Sequence, residues 1–253
     1  MTHRPPIGLV PAAGRAARLG ALPCSKEIFP VGFDDRGVPT PVARHLLRGF
    51  AAAGIDRALV ILRPGKWDVP ACLGAGSDGV DVAYLVVEDS GSVPETLDRA
   101  GRWIEGCDVA LGFPDILLEP SDVWPRLLDF HRRGGHDASL GLFPTDQAWK
   151  ADMVDADDDG RVRGFVIKDP ECTLRWTWSI ALWTPSVTEL LRRRVARGRD
   201  GDAELWVGDV LRDAVAAGLD VRGLRFAEGT FLDIGTPADL RRAVGGSAGD
   251  GTP

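Results

Sequence analysis

The sequence has few cysteines and no long apolar segment. Cys24, Cys72, Cys107 and Cys172 are scattered over 253 residues, and none forms the closely spaced pairs typical of zinc sites or small disulfide-linked folds. No apolar run approaches the roughly 20 residues that a membrane-spanning helix needs. The first residues lead directly into an apolar strand and show no signal-peptide pattern. We therefore expect a cytoplasmic protein with reduced thiols.

The sequence also has fewer basic than acidic residues. The 37 acidic and 30 basic residues give a formal net charge of −7, which argues against general nucleic-acid affinity but leaves room for a local basic pocket. A hydrophobic content of 44% is that of an ordinary globular protein. The length suits one large α/β domain or two small ones. A single tyrosine stands against eight tryptophans, so the tryptophans need an explanation.

Apolar runs and amphipathic stretches alternate over the first 144 residues. The predicted strands are Ile7–Ala12, Arg57–Leu62, Val80–Val87, Val109–Gly112 and Ala138–Phe143. The predicted helices between them are Pro41–Ala53, Pro94–Ile104 and Ser121–Arg133. Such alternation predicts an α/β fold with a Rossmann-like, doubly wound and mostly parallel sheet that has helices on both faces.

The pattern changes after Pro144. The acidic run 155–160 predicts a solvated hairpin turn rather than a calcium loop, because it lacks the distal glutamate of an EF-hand. Further elements are predicted at Met153–Asp155, Arg161–Lys168, Trp178–Trp183, Pro185–Arg197, Ala203–Ala217 and Val221–Ala227. We expect one domain over 1–244, with a small antiparallel subregion, and a flexible C-terminal tail over 245–253.

A small-residue loop follows the first predicted strand. It carries Arg15 and Arg18, and Lys26 lies eight residues beyond Arg18. A strand that leads into such a loop can place backbone N–H groups against a phosphate, while arginine and lysine add positive charge. The alternative is a plain turn with solvated arginines.

These residues resemble the opening motifs of the sugar-phosphate nucleotidyltransferases, the family that includes glucose-1-phosphate thymidylyltransferase. Gly14, Arg18 and Leu19 match G-x-G-T-R-L-x-P, and Lys26, Pro30 and Val31 match P-K-x-L-x-P-V. The resemblance implies catalytic roles for Arg18 and Lys26. It implies nucleotide contacts from Ala12, Ala13, Gly14 and Arg15, although no separate role follows for Arg15. Ala16 replaces the second glycine, and we expect it not to occupy a position that needs positive φ.

Two aspartates lie at strand ends. Asp115 follows an apolar strand, and open parallel sheets place ligands at such ends. Asp233 belongs to the segment 231–236, which resembles the family motif W-x-D-x-G-T. Either aspartate alone could be a cap or turn residue. The resemblance implies that Asp115 and Asp233 hold a catalytic Mg²⁺, an ion that takes few protein oxygens.

The region after Gly164 resembles the family's acceptor site. Lys168 matches the lysine of V-E-K-P, which implies a catalytic contact to the sugar phosphate. The resemblance implies sugar contacts from Asp152, Ile167, Trp178 and Ser179, but Ile167 replaces a glutamate and cannot accept hydrogen bonds from hydroxyls. These departures disfavour an ordinary hexose and favour a deoxysugar or cyclitol phosphate. Core packing or a subunit contact explains the tryptophans equally well.

The segment 86–97 resembles the family's base-reading segment. The resemblance implies nucleotide contacts from Glu88, Pro94 and Thr96. Glu88 stands near the usual glutamine, and an ionised glutamate offers only acceptors. We therefore expect guanine or cytosine in preference to thymine or uracil.

The resemblance implies a magnesium-dependent enzyme that joins a nucleoside triphosphate and a sugar 1-phosphate to give an NDP-sugar and pyrophosphate. The expected partners are these two small molecules, with no nucleic acid or membrane. The sequence leaves open whether the protein forms a homo-oligomer. One alternative is a cytidylyl- or guanylyltransferase for a non-sugar phosphate. Another is a non-catalytic nucleotide sensor, which Ala16, Ile167 and Trp178 favour. The retained cations and aspartates argue against the sensor.

Overall fold

The computed structural model describes residues 4–198 and 204–246. The strands are β1 (Ile7–Pro11), β2 (Pro30–Phe33), β3 (Pro39–Pro41), β4 (Arg57–Leu62), β5 (Gly76–Ser77), β6 (Val80–Val86), β7 (Val109–Leu111), β8 (Ile116–Glu119), β9 (Ala138–Pro144), β10 (Asp152–Ala156), β11 (Val162–Ile167), β12 (Trp176–Trp183), β13 (Val221–Arg225) and β14 (Thr230–Asp233). The helices are α1 (Val42–Ala52), α2 (Asp68–Leu73), α3 (Val93–Asp98), α4 (Val123–Gly134), α5 (Pro185–Ala196), α6 (Val207–Ala216) and α7 (Pro237–Gly246). The alternation of strands and helices confirms the predicted α/β class.

The main sheet has a parallel centre and an antiparallel extension. Strands β7, β1, β4 and β6 lie side by side and parallel, so that Leu9 of β1 pairs with Leu59 on one side and Leu111 on the other. Strand β12 runs antiparallel to β7 and continues the sheet through β10 and β11. It also pairs with β9, which pairs in parallel with β13. The carboxyl ends of the parallel strands therefore lie next to antiparallel strands from much later in the chain.

Helices cover both faces of this sheet. Successive side chains of a strand point to opposite faces, and Leu9 accordingly belongs to one core cluster and Val10 to the other. The first cluster includes Leu97 of α3 and Leu211 of α6, and the second includes Phe50 of α1. Full burial of each such side chain contributes about 1.5–3 kcal/mol. This arrangement confirms the doubly wound architecture.

A glycine at the end of β7 allows two helices to pack over the strand end. A Cβ on Gly112 would lie 2.4 Å from Leu46 of α1 and 3.0 Å from Trp124 of α4. Such distances are not tolerated in a packed core. The absence of a side chain therefore lets β7 lead directly into the segment that carries Asp115.

Some boundaries differ from the predictions. Helix α3 ends at Asp98 rather than Ile104, and a separate 3₁₀ turn follows at Gly101–Trp103, because glycine disfavours a continuous helix. Strand β12 begins at Trp176, since its pairing with β9 extends to Pro144. The start predicted for α6, Ala203, lies outside the described residues. So do residues 247–253 of the predicted tail, whereas Gly245 and Gly246 close α7.

Two small two-stranded sheets were not foreseen. Strands β2 and β3 form one, and β8 and β14 form the other. Neither has the long alternating pattern that identifies a strand in sequence. Among the described residues, no helix is both long enough and apolar enough to cross a membrane.

Candidate active site

Two adjoining cavities lie at the carboxyl ends of the parallel strands. The first, of about 280 Å³, is called the β1-side cavity; its lining includes Ala13, Gly14, Arg15, Lys26, Ser90, Ser92 and Thr96. The second, of about 240 Å³, is called the β12-side cavity; its lining includes Arg18, Lys150, Asp152, Lys168, Trp178, Ser179, Trp206 and Asp233. Val93, Phe113 and Asp115 line both cavities. The two cavities therefore meet at Asp115.

The loop after β1 contains one residue with a left-handed backbone. Ala16 has φ 53°, so the expectation that alanine would not occupy a positive-φ position is wrong. The following 3₁₀ turn, Ala17–Leu19, is held by a hydrogen bond from Leu19 N to Ala16 O (2.9 Å), and Leu19 is buried. Its burial fixes the turn and hence Ala16, although the left-handed conformation costs about 1–2 kcal/mol.

Lys26 and Asp115 form an ion pair at the junction of the cavities. Their side chains are only 19% and 11% exposed, so the attraction between them is screened less than at the surface. Burial by itself lowers the pKa of Lys26, but the charge of Asp115 and its hydrogen bond outweigh this and raise the pKa above the ordinary value. The lysine is therefore a fixed positive charge at neutral pH.

The β8–β14 pairing brings Asp233 to Asp115. Asp233 lies opposite Ile116 in the antiparallel register, and Ile234 N donates a hydrogen bond to Asp115 O (2.9 Å). Burial raises the pKa of Asp233 to about 6, and the negative charge of Asp115 contributes to the rise. Two carboxylates separated by 118 residues in sequence thus lie close together at the junction of the cavities.

A second glycine gives Arg18 access to this site. A Cβ on Gly235 would lie 3.1 Å from Nη2 of Arg18 and 3.4 Å from both carboxylate oxygens of Asp233. The guanidinium therefore lies beside Asp233, where it acts to lower the pKa of that carboxyl. It lines the β12-side cavity, not the β1-side cavity.

The donor set at Asp115 and Asp233 suits a hard divalent cation. Mg²⁺ is commonly bound by one or two carboxylates, with water and substrate phosphates supplying the other oxygens. Among the described residues, no group of three or more histidine, cysteine, aspartate or glutamate side chains could hold a metal ion. The two aspartates fit the smaller, shared type of site, where the positive charge of such an ion would offset the burial and the repulsion from Asp115 that raise the pKa of Asp233.

The far wall of the β12-side cavity contains a partly bonded carboxylate. Gly208 N, in the first turn of α6, donates to Oδ2 of Asp152 (3.2 Å), while Oδ1 is buried without a hydrogen-bond partner. The indole Nε1 of Trp178 is also buried and unpartnered, and it faces Asp152. Burial raises the pKa of Asp152. This wall therefore holds unsatisfied hydrogen-bonding capacity.

Lys168 has a strained backbone and an aromatic neighbour. Its φ is 48°, a conformation that a non-glycine residue adopts at some cost and that is frequent at functional sites. Its Nζ lies over the ring of Trp206, which attracts a cation through its π face. Burial lowers the pKa of Lys168, and the charge of Asp152 partly offsets this. Lys150 supplies another cation to the same cavity.

No family model matches the sequence. The bifunctional protein GlmU of Gluconacetobacter diazotrophicus is 28% identical over 252 residues, which cover 95% of this chain and 51% of that protein. The chain therefore spans about half the length of this curated relative.

Solved structures match the whole architecture. A Bacillus anthracis protein assigned provisionally as a glucose-1-phosphate thymidylyltransferase, solved with sucrose, aligns with a TM-score of 0.81 at 18% identity and covers 98% of this chain and 97% of its own. The chain has the sugar-phosphate nucleotidyltransferase fold. A UDP-glucose pyrophosphorylase with UDP-glucose has a TM-score of 0.82 at 15% identity (97% and 99% coverage). A UTP-bound UDP-glucose pyrophosphorylase from Acinetobacter baumannii aligns with a TM-score of 0.76 at 15% identity, and the alignment covers 95% of this chain and 92% of that protein.

Most residues singled out from the sequence gather at the two cavities of this nucleotidyltransferase fold. Four do not line either of them. Ala12 and Pro94 are buried, and Glu88 is exposed. Ile167 packs against the start of α6, since its Cδ1 would lie 2.5 Å from a Cβ on Gly208. The neighbour of Glu88, Asp89, lines the β1-side cavity instead and forms an exposed ion pair with Arg15.

Sequence reasoning did not single out several lining residues. Phe113, Lys150 and Trp206 belong to the cavities, yet no motif contains Lys150 or Trp206. A signal existed for Phe113, which directly precedes the Pro114-Asp115 pair. Ser179, which the sequence did single out, lies in β12 where the pairing with β9 shifts register. Such a bulge redirects side chains next to a site.

Proposed function

We propose that this protein transfers a nucleotidyl group from a nucleoside triphosphate to a sugar 1-phosphate or a related deoxysugar or cyclitol phosphate, with release of pyrophosphate. The observation that carries the proposal is the junction of the two cavities, where Lys26, Asp115 and Asp233 lie together. Such a reaction needs two anions held side by side with compensating positive charge between them. The similarity to GlmU and to UDP-glucose pyrophosphorylases supports the proposal.

The nucleoside triphosphate fits the β1-side cavity. The backbone of Ala13 and Gly14 borders it at the carboxyl end of β1, and Lys26 lies at its inner end. Backbone N–H groups and a lysine are the groups that bind phosphate chains in other small-residue loops. Ser90 and Ser92 also line this cavity, and their hydroxyls are available to contact the nucleoside.

The acceptor phosphate fits the β12-side cavity. Arg18, Lys150 and Lys168 supply cations for its phosphate, and Trp178 supplies a flat apolar surface for a ring. Asp152 offers a free carboxylate oxygen to a hydroxyl group. Asp152 and Ile167 are register partners across the β10–β11 pair. A hydroxyl acceptor is therefore present on the strand adjacent to the isoleucine.

Catalysis requires no covalent protein nucleophile. The acceptor phosphate oxygen attacks the α-phosphorus in line, and the protein positions both reactants and stabilises the charge that develops. Lys26 faces the transferring phosphoryl group, while Arg18 and Lys168 hold the acceptor. We propose that Asp115 and Asp233 bind Mg²⁺, which would neutralise phosphate charge. Because the reaction consumes nucleoside triphosphate, we also propose a cytoplasmic location.

The test is pyrophosphate release with Mg²⁺, each of the four common nucleoside triphosphates, and a panel of sugar, deoxysugar and cyclitol phosphates. Phosphocholine and glycerol phosphate extend the panel to non-sugar acceptors. Release that needs both a triphosphate and one of the sugar-type acceptors would support the proposal. Release only with a non-sugar acceptor would replace it, and nucleotide binding without release for any pair would favour a sensor. The same panel measures base preference.

A further inference from the structure

Lys26 lies in a segment that cannot fix its own position. It begins a single 3₁₀ turn, Lys26–Ile28, and so short a turn has little stability of its own. Its side chain has many rotamers. The location of its ammonium group at the junction of the cavities must therefore come from contacts with the rest of the molecule.

The residues on either side of Lys26 are both held by the segment that follows β4. Ser25 donates from its backbone N and from its Oγ to the two carboxylate oxygens of Asp68, each at 2.7 Å. Glu27 accepts from Nζ of Lys66 at 2.6 Å. These four residues are called the Lys26 clamp. Since β4 is the parallel neighbour of β1, the clamp joins the loops that follow two adjacent strands.

The Glu27–Lys66 pair is unusual because it is almost completely buried. Glu27 is 1% exposed and Lys66 is 5% exposed, and Oε2 of Glu27 has no hydrogen-bond partner. Such pairs contribute little to stability, because apolar side chains of similar size often serve as well or better. Stability alone therefore does not explain the pair. Glu27 lines the β1-side cavity beside Lys26, and its charge raises the pKa of Lys26.

We propose that Lys66 and Asp68 are positioning residues that hold Lys26 for the reaction. They fix the backbone before and after Lys26, so that its ammonium reaches both Asp115 and the transferring phosphoryl group. This inference rests on the proposed function. It assigns a functional role to a segment outside every motif found in the sequence.

The main test variant is Glu27→Leu with Lys66→Met, which replaces the buried pair by apolar side chains and is expected to fold. Lys66→Arg is the conservative variant, since it keeps the positive charge. The matched control, Asp129→Leu with Arg133→Met, removes an exposed ion pair on α4. If the main variant does not fold, Ser25→Ala with Asp68→Asn takes its place, because that half of the clamp is less buried.

Two readouts are measured on the full chain. The first is kcat for the best substrate pair, which should fall about 100-fold in the main variant because small misplacements of a reacting group are costly. KM for the acceptor and the melting temperature should change little, and Lys66→Arg should recover most of the activity. The second is the rate at which an amine-acylating reagent labels Lys26, measured by peptide mass spectrometry. Labelling should accelerate in the main variant and also in Ser25→Ala with Asp68→Asn, which keeps the charge of Glu27 beside Lys26, and it should stay constant at Lys150.

The control variant should match the wild type in both readouts. A main variant that folds and keeps kcat within about threefold of the wild type would overturn the inference, since a misplaced reacting group costs far more. Unchanged labelling of Lys26 would overturn it as well. If the wild type releases no pyrophosphate with any pair, the proposed function fails, but the labelling experiment still decides whether the clamp positions Lys26.

Discussion

The β1-side and β12-side cavities share Asp115 but are built in different ways. The first lies between loops that follow the parallel strands β1 and β6, and small or polar residues dominate its lining. The second lies between antiparallel strands and the start of α6, and it contains Trp178, Trp206 and Phe231. A cavity built on loops at parallel strand ends presents backbone groups, which suit phosphates. A cavity built on paired strands presents side chains, which discriminate between rings.

This comparison predicts where changes act. Substitutions on the β12 side should alter acceptor affinity alone, whereas those at the junction should alter turnover. Lys26, Asp152 and Gly235 test it in turn, and Ala16 tests the stability of the loop after β1.

Lys26→Met should have the largest effect. It keeps the aliphatic stem but removes the ammonium between the cavities, so we expect kcat to fall about 10²- to 10³-fold, as for the loss of a preorganised charge. Thermal unfolding should change much less, because water and Mg²⁺ can reach Asp115 from both cavities. Lys26→Ala should behave alike. Activity within about threefold of the wild type, measured by pyrophosphate release, would place the charge-stabilising group elsewhere.

Asp152→Asn should separate the two cavities. In the proposed function, the free oxygen of Asp152 accepts from a hydroxyl of the acceptor substrate. A bond to a charged group contributes about 1.5–3 kcal/mol, so KM for that substrate should rise about 10- to 100-fold. KM for the triphosphate should stay constant. Asp155→Asn, at an exposed position on the same strand, is the matched control. A parallel rise in both KM values would contradict the separation.

Asp152 also predicts a pH effect on stability. Burial raises its pKa in the folded protein, so the folded state holds a proton that the unfolded state releases. This group therefore opposes folding increasingly as pH rises from its ordinary pKa through the raised one. We expect the ligand-free Asp152→Asn variant to gain stability over the wild type at pH 7 and less at pH 4. A gain that is independent of pH would show that the carboxylate is not the cause.

Gly235→Ala should have a smaller effect at the junction. The new Cβ would lie 3.1 Å from the Arg18 guanidinium, which must move by a few tenths of an ångström. We expect kcat to fall about tenfold or less. Gly164→Ala is the control, because a Cβ there meets open space. Equal kinetics for the two variants would mean that Arg18 needs no fixed position.

Ala16→Gly should have the smallest effect and act on stability. Glycine adopts positive φ without steric cost, so the free energy of unfolding should rise by up to about 1 kcal/mol, net of the greater chain entropy of glycine. Ala17→Gly, in the following 3₁₀ turn, should lower it. Chemical denaturation measures both. A loss of stability in Ala16→Gly would mean that the left-handed residue is not strained.

Part of the β1-side cavity could be predicted from local sequence. Gly14, Arg15 and Lys26 follow one strand within a short stretch of chain, so local pattern reveals them. Glu88 was selected, but the cavity takes its neighbour Asp89. A one-residue difference in a loop reverses which side chain points inward, and no periodicity fixes the register of a loop.

The sequence by itself determined the α/β class, the order of the motifs and the identity of the cations and carboxylates, because these depend on local periodicity and on residue type. The tertiary structure decided which of them meet. Asp115 and Asp233 come together only through the β8–β14 pairing, and Asp152 lies opposite Ile167 only through the β10–β11 register. The clamp on Lys26 likewise needs the loop after β4 beside the loop after β1. Pairings between distant segments depend on the whole packed sheet, and no stretch of sequence contains them.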